Sequence, residues 1–233
     1  MSGAIVAIGG GGFLMEDTRG LQERYLLSLL PQRDRKPRVV YLGTAAGDGE
    51  RAQLRFLKLF LALGCDASTL PFFPYEMKRD YAQSVRDADL VYVGGGNTVA
   101  MLAVWREFGF DRALRDAWQE GTMLAGISAG ANCWFERYVT DSVPGGGVRD
   151  GLGWLPGTFC PHLDSEAWRQ PMVEAETHTP VYAAPDGVMV HFRDGRAVEA
   201  VSSRPDFAAW HRSTPGAPLA AMTTRLLDGP AQP

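Results

Sequence analysis

Residues 121–135 read GTMLAGISAGANCWF: an apolar run, then Gly126-Ile127-Ser128-Ala129-Gly130, then a segment of helical character. Two readings compete for this stretch. In one, the flanking glycines permit a sharp turn between strand and helix that exposes the Ser128 hydroxyl as a nucleophile. In the other, Gly126 and Gly130 only let a helix lie close on a sheet. The order of strand, turn and helix favours the first. It also supplies a donor for an oxyanion, because the backbone N–H of Ala129 falls at a helix start, where no intrahelical acceptor exists.

Such a turn presupposes a parallel sheet, and the surrounding sequence predicts one. AIVAIGG (4–10) and RVVYLGT (38–44) are short apolar runs ending in glycine, ADLVYVGGGNT (88–98) is a third, and 121–128 is the fourth. Each suits a strand buried on both faces. Helical spacing appears between them at 21–31, 50–64 and 110–119. The second of these is predicted to bury Leu54, Leu57, Phe60 and Leu61 and to stop at Gly64 as a C-cap. The third places Phe110, Ala113, Leu114, Ala117 and Trp118 on one face. Alternating strands and helices imply a mostly parallel, doubly wound α/β sheet with helices on both faces. From about residue 139 the pattern changes. Residues 141–162 are rich in Gly and Pro and read as turns and short strands, and 181–203 read as two or three strands joined by Asp-Gly turns. The expectation is a single domain over 1–233 with an extra β-rich C-terminal part and a partly ordered tail at about 215–233.

Composition narrows the function. The chain has 233 residues, 45% of them hydrophobic, and a net charge of -4 with Lys and Arg scattered among acids. Nothing in that distribution suits a polyanion, so nucleic acid is not an expected partner. The start MSGAIVAIGGGG lacks the basic and apolar regions of a secretory signal, and no run approaches the roughly 20 apolar residues of a bilayer span, which predicts a cytoplasmic protein without membrane contact. Cys65, Cys133 and Cys160 are odd in number and widely spaced, as reduced thiols are. No metal-ligand cluster is read from the sequence, and Gly9 to Gly12 lack the helix and acid of a dinucleotide site. No metal or cofactor is therefore expected.

In open parallel sheets ligands lie beyond the carboxyl ends of the strands. Four predicted strands end there in glycine turns: Gly9 to Gly12, Gly43-Thr44, Gly94 to Asn97 and Gly126 to Gly130. Gly96 is the candidate second oxyanion donor, and Asn97 beside it a candidate substrate contact. A serine nucleophile needs a base, and the chain has four histidines. His178 falls at an exposed helix end or loop, His191 within a strand, and His211 beside Trp210. His162, held by Pro161 in a turn after an apolar stretch, is the best placed.

GGGNT, GISAGAN and FCPH together resemble the aspartyl dipeptidase (peptidase E) and cyanophycinase family of serine peptidases, over most of the chain from AIGGGGF to about residue 205. The resemblance implies a class I glutamine amidotransferase-like fold, Ser128 as nucleophile, His162 as base, and the backbone of Gly96 and Ala129 as oxyanion donors. Related amidotransferases carry Cys at the elbow, so Ser128 argues against thiolate chemistry. The third member departs from the pattern. Where the dipeptidase has a Pro-Glu-Gly turn, this chain has AAPDGVM, which puts Asp186 at the matching place. Asp141, and Asp164 or Glu166 beside the histidine, are the rival acids. Arg169 is the candidate cation for an acidic substrate side chain. The function expected is hydrolysis of small peptides through an acyl-enzyme, with a homodimer left open. The alternatives are an α/β-hydrolase-type esterase or amidase, whose triad would run serine, acid, histidine, and a non-catalytic small-molecule-binding protein of the same fold.

Overall fold

The computed structural model describes residues 2–15, 20–73 and 79–228. The first half alternates strands and helices: β1 (Ile5–Ile8), α1 (Gly12–Met15), α2 (Leu21–Ser28), β2 (Arg38–Leu42), α3 (Glu50–Ala62), β3 (Asp66–Thr69), α4 (Tyr81–Arg86) and β4 (Leu90–Val93). It continues with α5 (Thr98–Glu107), α6 (Phe110–Gln119), β5 (Met123–Ile127) and the short α7 (Ala129–Asn132). Then strands dominate: β6 (Phe135–Thr140), β7 (Gly147–Asp150), β8 (Leu155–Cys160), α8 (Arg169–Ala175), β9 (Val181–Ala183), β10 (Val188–Arg193), β11 (Arg196–Ser202), β12 (Trp210–Arg212), β13 (Ala220–Ala221) and β14 (Thr224–Leu226).

An eight-stranded sheet runs in the order β14-β11-β10-β1-β5-β4-β2-β3. Strands β1, β5, β4, β2 and β3 pair in parallel, while β10 is antiparallel to both β1 and β11. Alternate residues of each central strand feed two cores, which is why these strands read as unbroken apolar runs. Ile5, Ala7, Val91 and Val93 face Val85 of α4, Met101 and Trp105 of α5 and Phe110 and Leu114 of α6. Val6, Ile8, Leu90 and Tyr92 face Tyr25 and Leu26 of α2 and Phe56 and Phe60 of α3. A six-stranded sheet, β13-β12-β9-β8-β6-β7, adds Phe135, Tyr138 and Phe159 to the first of these cores, beside Trp134 just before β6. Among the described residues no helix is long and apolar enough to cross a membrane.

The four predicted parallel strands are present, and so are three strands within 181–203. Gly64 (φ 85) ends α3 in a Schellman motif, with Cys65 N–H on the Phe60 carbonyl and Gly64 N–H on the Leu61 carbonyl. The predicted buried face of α3 is corrected. Phe56 and Phe60 are fully buried, whereas Leu54 and Leu61 are 65% and 56% exposed. At about 100° per residue, Leu54 and Leu61 share a face that Phe56 and Phe60 do not. The aromatic pair takes the inner position because Phe56 stacks on Tyr41 at 5.0 Å and meets Phe13 edge-on at 5.8 Å. The sequence reading also passed over α5, capped by the Asn97 side chain, which accepts the Ala100 N–H at 2.8 Å. The tail contains β13 and β14, paired to β12 and β11, and residues 229–233 lie outside the described residues.

Two pairings bring the second half of the chain to the glycine-rich edge. Because β10 is antiparallel to β1, it begins at the edge where β1 and β5 end. In the second sheet β8 and β9 are parallel, with Cys160 opposite Ala183. The residues that follow these partners, His162 and Asp186 among them, therefore leave the sheet side by side.

The corrected face of α3 is open to test by chemical denaturation. Phe56→Ala is expected to destabilise the protein by about 3–5 kcal/mol, and Leu54→Ala by less than about 0.5 kcal/mol.

Candidate active site

Ser128 follows β5 directly and occupies the N-cap of α7 with φ 55 and ψ -113. This is a conformation that a side chain other than glycine adopts only at a cost of about 1–3 kcal/mol. A serine at an N-cap ordinarily bonds a backbone N–H of the first turn. Here the hydroxyl makes no such bond, so it is not consumed by the helix. Its main chain is held at both ends, by Ser128 N–H to the Ile8 carbonyl at 3.0 Å and by the Ala131 and Asn132 N–H groups on its own carbonyl. The flanking glycines also serve close packing. A Cβ at Gly126 would fall 2.0 Å from the Gly130 carbonyl oxygen, and one at Gly130 would fall 2.3 Å from that of Val93. The sharp turn and the close packing therefore go together, since tight packing of α7 is what holds Ser128 in its turn.

The Ala129 N–H is the first of α7 and has no intrahelical acceptor. The turn Gly94 to Asn97 lies against the serine: a Cβ on Gly95 would be 3.3 Å from Ser128 Cβ. Gly96, with φ 136, lets the turn pass over the loop after β2, where any Cβ would fall 2.2 Å from the Ala45 carbonyl oxygen. The Asn97 side chain is used twice, as the cap of α5 and as donor to the Ser142 carbonyl at 2.8 Å. Ser142 in turn accepts the Thr98 N–H on its hydroxyl at 2.9 Å. Those two bonds fasten the segment after β6 to the turn that carries Gly96. The sequence reading missed Ser142, whose only signal was its place in a Gly- and Pro-rich stretch.

His162 follows β8, and its Nδ1 lies 2.6 Å from Asp186 Oδ1 with the two side chains 14% and 13% exposed. With the proton on Nδ1, the imidazole donates to the carboxylate and keeps Nε2 basic. The hydrogen bond from His162 holds the Asp186 carboxyl below the usual aspartate range, against the effect of burial, with further help from the His162 charge, from Ser165 and from Arg204. Asp186 therefore contributes stability above the unfolded aspartate pKa of about 3.9, and that contribution is lost as pH falls through the lower folded value. The approach depends on the end of β1. A Cβ on Gly10 would fall 1.8 Å from Asp186 Oδ1 and 2.9 Å from His162 Cε1, and one on Gly9 would fall 2.2 Å from the Pro185 carbonyl oxygen.

The other histidines lie elsewhere. His191 is buried beside Tyr25, His178 pairs with Glu136, and His211 stacks on Tyr182. Among the rival acids, Asp141 is exposed and 3.7 Å from Arg169, Glu166 accepts from Arg169 Nε at 2.7 Å, and Asp164 accepts the Asp186 N–H at 2.8 Å. The Arg169 side chain is 3% exposed and also donates to the Val139 carbonyl at 3.0 Å. Its guanidinium is thus engaged within the protein, joining the end of β6 to the turn after His162.

Residues 5–200 match the model of peptidase family S51. The chain belongs to peptidase family S51. It is 41% identical over 204 residues to an uncharacterized peptidase, YgaJ, of Bacillus subtilis strain 168, covering 86% of this chain and 87% of that one. It is 28% identical over 131 residues to Peptidase E of Pasteurella multocida strain Pm70, covering 50% of this chain and 56% of the other. Among solved structures it is similar to a peptidase from an acI-B1 Actinobacterium, with a TM-score of 0.69 at 19% identity over 96% of this chain and 95% of that one. It is also similar to a putative Peptidase E protein of Listeria monocytogenes EGD-e, with a TM-score of 0.65 at 17% identity over 85% of this chain and 98% of that one. The S51 chain is a serine-type peptidase with a class I glutamine amidotransferase-like fold.

In this S51 peptidase the three thiols are buried. Burial pushes Cys160 up to about 12 and holds Cys133 well above the ordinary thiol range, and Cys65 is raised by the same cause. A thiol held protonated and out of solvent is a poor nucleophile. Iodoacetamide at neutral pH is expected to leave labelling by a serine-reactive fluorophosphonate unchanged in the native protein, and to alkylate Cys65, Cys133 and Cys160 only after denaturation. Inactivation of the native protein in step with alkylation of one cysteine would show a thiol at work.

Proposed function

We propose that this peptidase cleaves small peptides by acyl transfer to Ser128, with His162 as base and acid and Asp186 as the group that orients it. The observation that carries the reading is the hydrogen bond of 2.6 Å between His162 Nδ1 and Asp186 Oδ1, at the edge where Ser128 stands with its hydroxyl free of the helix cap. Ser128 Oγ attacks the peptide carbonyl as His162 Nε2 takes its proton. The carbonyl oxygen gains negative charge and is held by the N–H groups of Ala129 and Gly96. Asp186 stabilises the imidazolium without taking its proton. Collapse of the tetrahedral intermediate expels the amine, which receives the proton from His162, and water then releases the acyl group by the same steps.

The order Ser128, His162, Asp186 is supported against the order of an α/β-hydrolase, because Asp141 faces Arg169 and the acid against His162 comes later in the chain. An aspartate takes the place of a longer glutamate because Gly9 and Gly10 let the turn at 185–187 come close. Arg169 is assigned a supporting role between Glu166 and Val139, and Asn97 the same role toward Ser142, instead of contact with substrate.

Digestion of a peptide library, with product termini read by mass spectrometry, supplies a substrate for kinetics. On that substrate Ser128→Ala is expected to abolish both hydrolysis and fluorophosphonate labelling while leaving the thermal melt unchanged. Asp186→Asn is expected to lower kcat by on the order of 10⁴ with little change in KM, and Asp141→Asn by less than about tenfold. Turnover by a folded Ser128→Ala protein removes the mechanism. A crippled Asp141→Asn beside a normal Asp186→Asn moves the acid to Asp141.

A further inference from the structure

We propose that Asp164 and Arg204 are positioning residues that lock the backbone of Asp186 in register with His162. The proposal rests on the reading of Asp186 as the triad acid. Asp164 Oδ1 accepts the Asp186 N–H at 2.8 Å. Its other oxygen, Oδ2, accepts from Arg204 Nη1 at 2.8 Å, and the same Nη1 donates to the Asp186 carbonyl at 3.0 Å. A carboxylate and a guanidinium thus grip both ends of the one residue whose side chain meets the histidine. Bonds of this charge-assisted kind are short and strongly directional.

The placement of each partner makes the grip a link between loops. Asp164 lies two residues beyond His162, in the turn that holds the imidazole, so its bond to Asp186 N–H ties the loop of the base to the loop of the acid. Arg204 comes from the end of β11. Its guanidinium lies over the Phe207 ring at 3.6 Å, which fixes its plane. Its stem lies so close over Gly187 that a Cβ there would fall 2.7 Å from Arg204 Cδ. From the opposite side, the Gly187 N–H donates to the Gly10 carbonyl at 2.9 Å. The turn at 185–187 is therefore held against β1 on one side and against the His162 turn on the other. A shorter acid reaches its histidine only while the backbone stays forward, and the clamp is what keeps it there. Arg204 also neutralises the Asp164 carboxylate it pairs with, beside the second carboxylate of Asp186.

The test is the rate of Ser128 labelling by a fluorophosphonate in a double-mutant cycle, with thermal melts to verify folding. Asp164→Ala is expected to slow labelling by about 10- to 100-fold, the range for a small misplacement of a reacting group. Asp164→Asn, whose amide oxygen still accepts the Asp186 N–H, is expected to recover part of that loss, and Arg204→Met to resemble Asp164→Ala. In the Asp186→Asn background, where the acid no longer works, Asp164→Ala is expected to cost less than about twofold more, because groups that act through one another are non-additive. A clamp that slows labelling equally in both backgrounds, or Asp164→Ala and Arg204→Met at the wild-type rate beside a crippled Asp186→Asn, overturns the clamp and leaves the triad standing. Asp186→Asn at the wild-type rate overturns the triad reading itself, and the clamp with it.

Discussion

The approach of the turn at 185–187 to the end of β1 is the constraint on which the site depends. β1 lies between β5 and β10 in the large sheet, so its C-terminal glycines sit between the serine turn and the acid turn. Gly10 bridges to Asp186 in parallel fashion, and side chains at Gly9 or Gly10 would occupy the space that the turn fills. Gly9 and Gly10 therefore leave room for the turn at 185–187 and for the His162 ring. Reversal of β10 relative to β1 is the second half of the constraint. A parallel strand in that position would begin at the far edge of the sheet and carry Asp186 away from Ser128.

Strain and packing are linked at the elbow. The unusual backbone of Ser128 costs about 1–3 kcal/mol, and it is held by hydrogen bonds to both of its peptide groups and by glycines that bring α7 onto β4 and β5. The same economy of side chains occurs at Gly96, where a second backbone segment crosses close to the loop after β2. Three of the four glycine turns are thus places where main chain must approach main chain or a working side chain.

The legible parts of the molecule were those set by local chemistry. Gly126-x-Ser-x-Gly130 after an apolar run predicts the elbow because the turn needs those residues at that spacing. Asp186 was singled out only by the resemblance of its Pro-Asp-Gly turn to the family's Pro-Glu-Gly turn, and the structure places it 2.6 Å from His162 Nδ1. His162 emerged by elimination among few histidines. What stayed hidden depends on partners distant in sequence. Arg169 reads as a free cation until Glu166, Val139 and Asp141 surround it. Arg204 and Asp164 are forty positions apart, and no periodicity connects them. The inner face of α3 was misread because leucine and phenylalanine count alike in an apolar stripe, while the fit against Tyr41 and Phe13 selects the aromatic pair. The six-stranded sheet was seen only as short strands, since its order is set by pairings across turns of uneven length.

The central claim is that Asp186 holds His162 with Nδ1 protonated, and proton NMR of the protein labelled with ¹⁵N-histidine addresses it most directly. The account predicts a far-downfield imidazole proton, attached to Nδ1 of His162, that disappears in Asp186→Asn and persists in Asp141→Asn. A signal that survives in Asp186→Asn, or one that vanishes in Asp141→Asn instead, would contradict it.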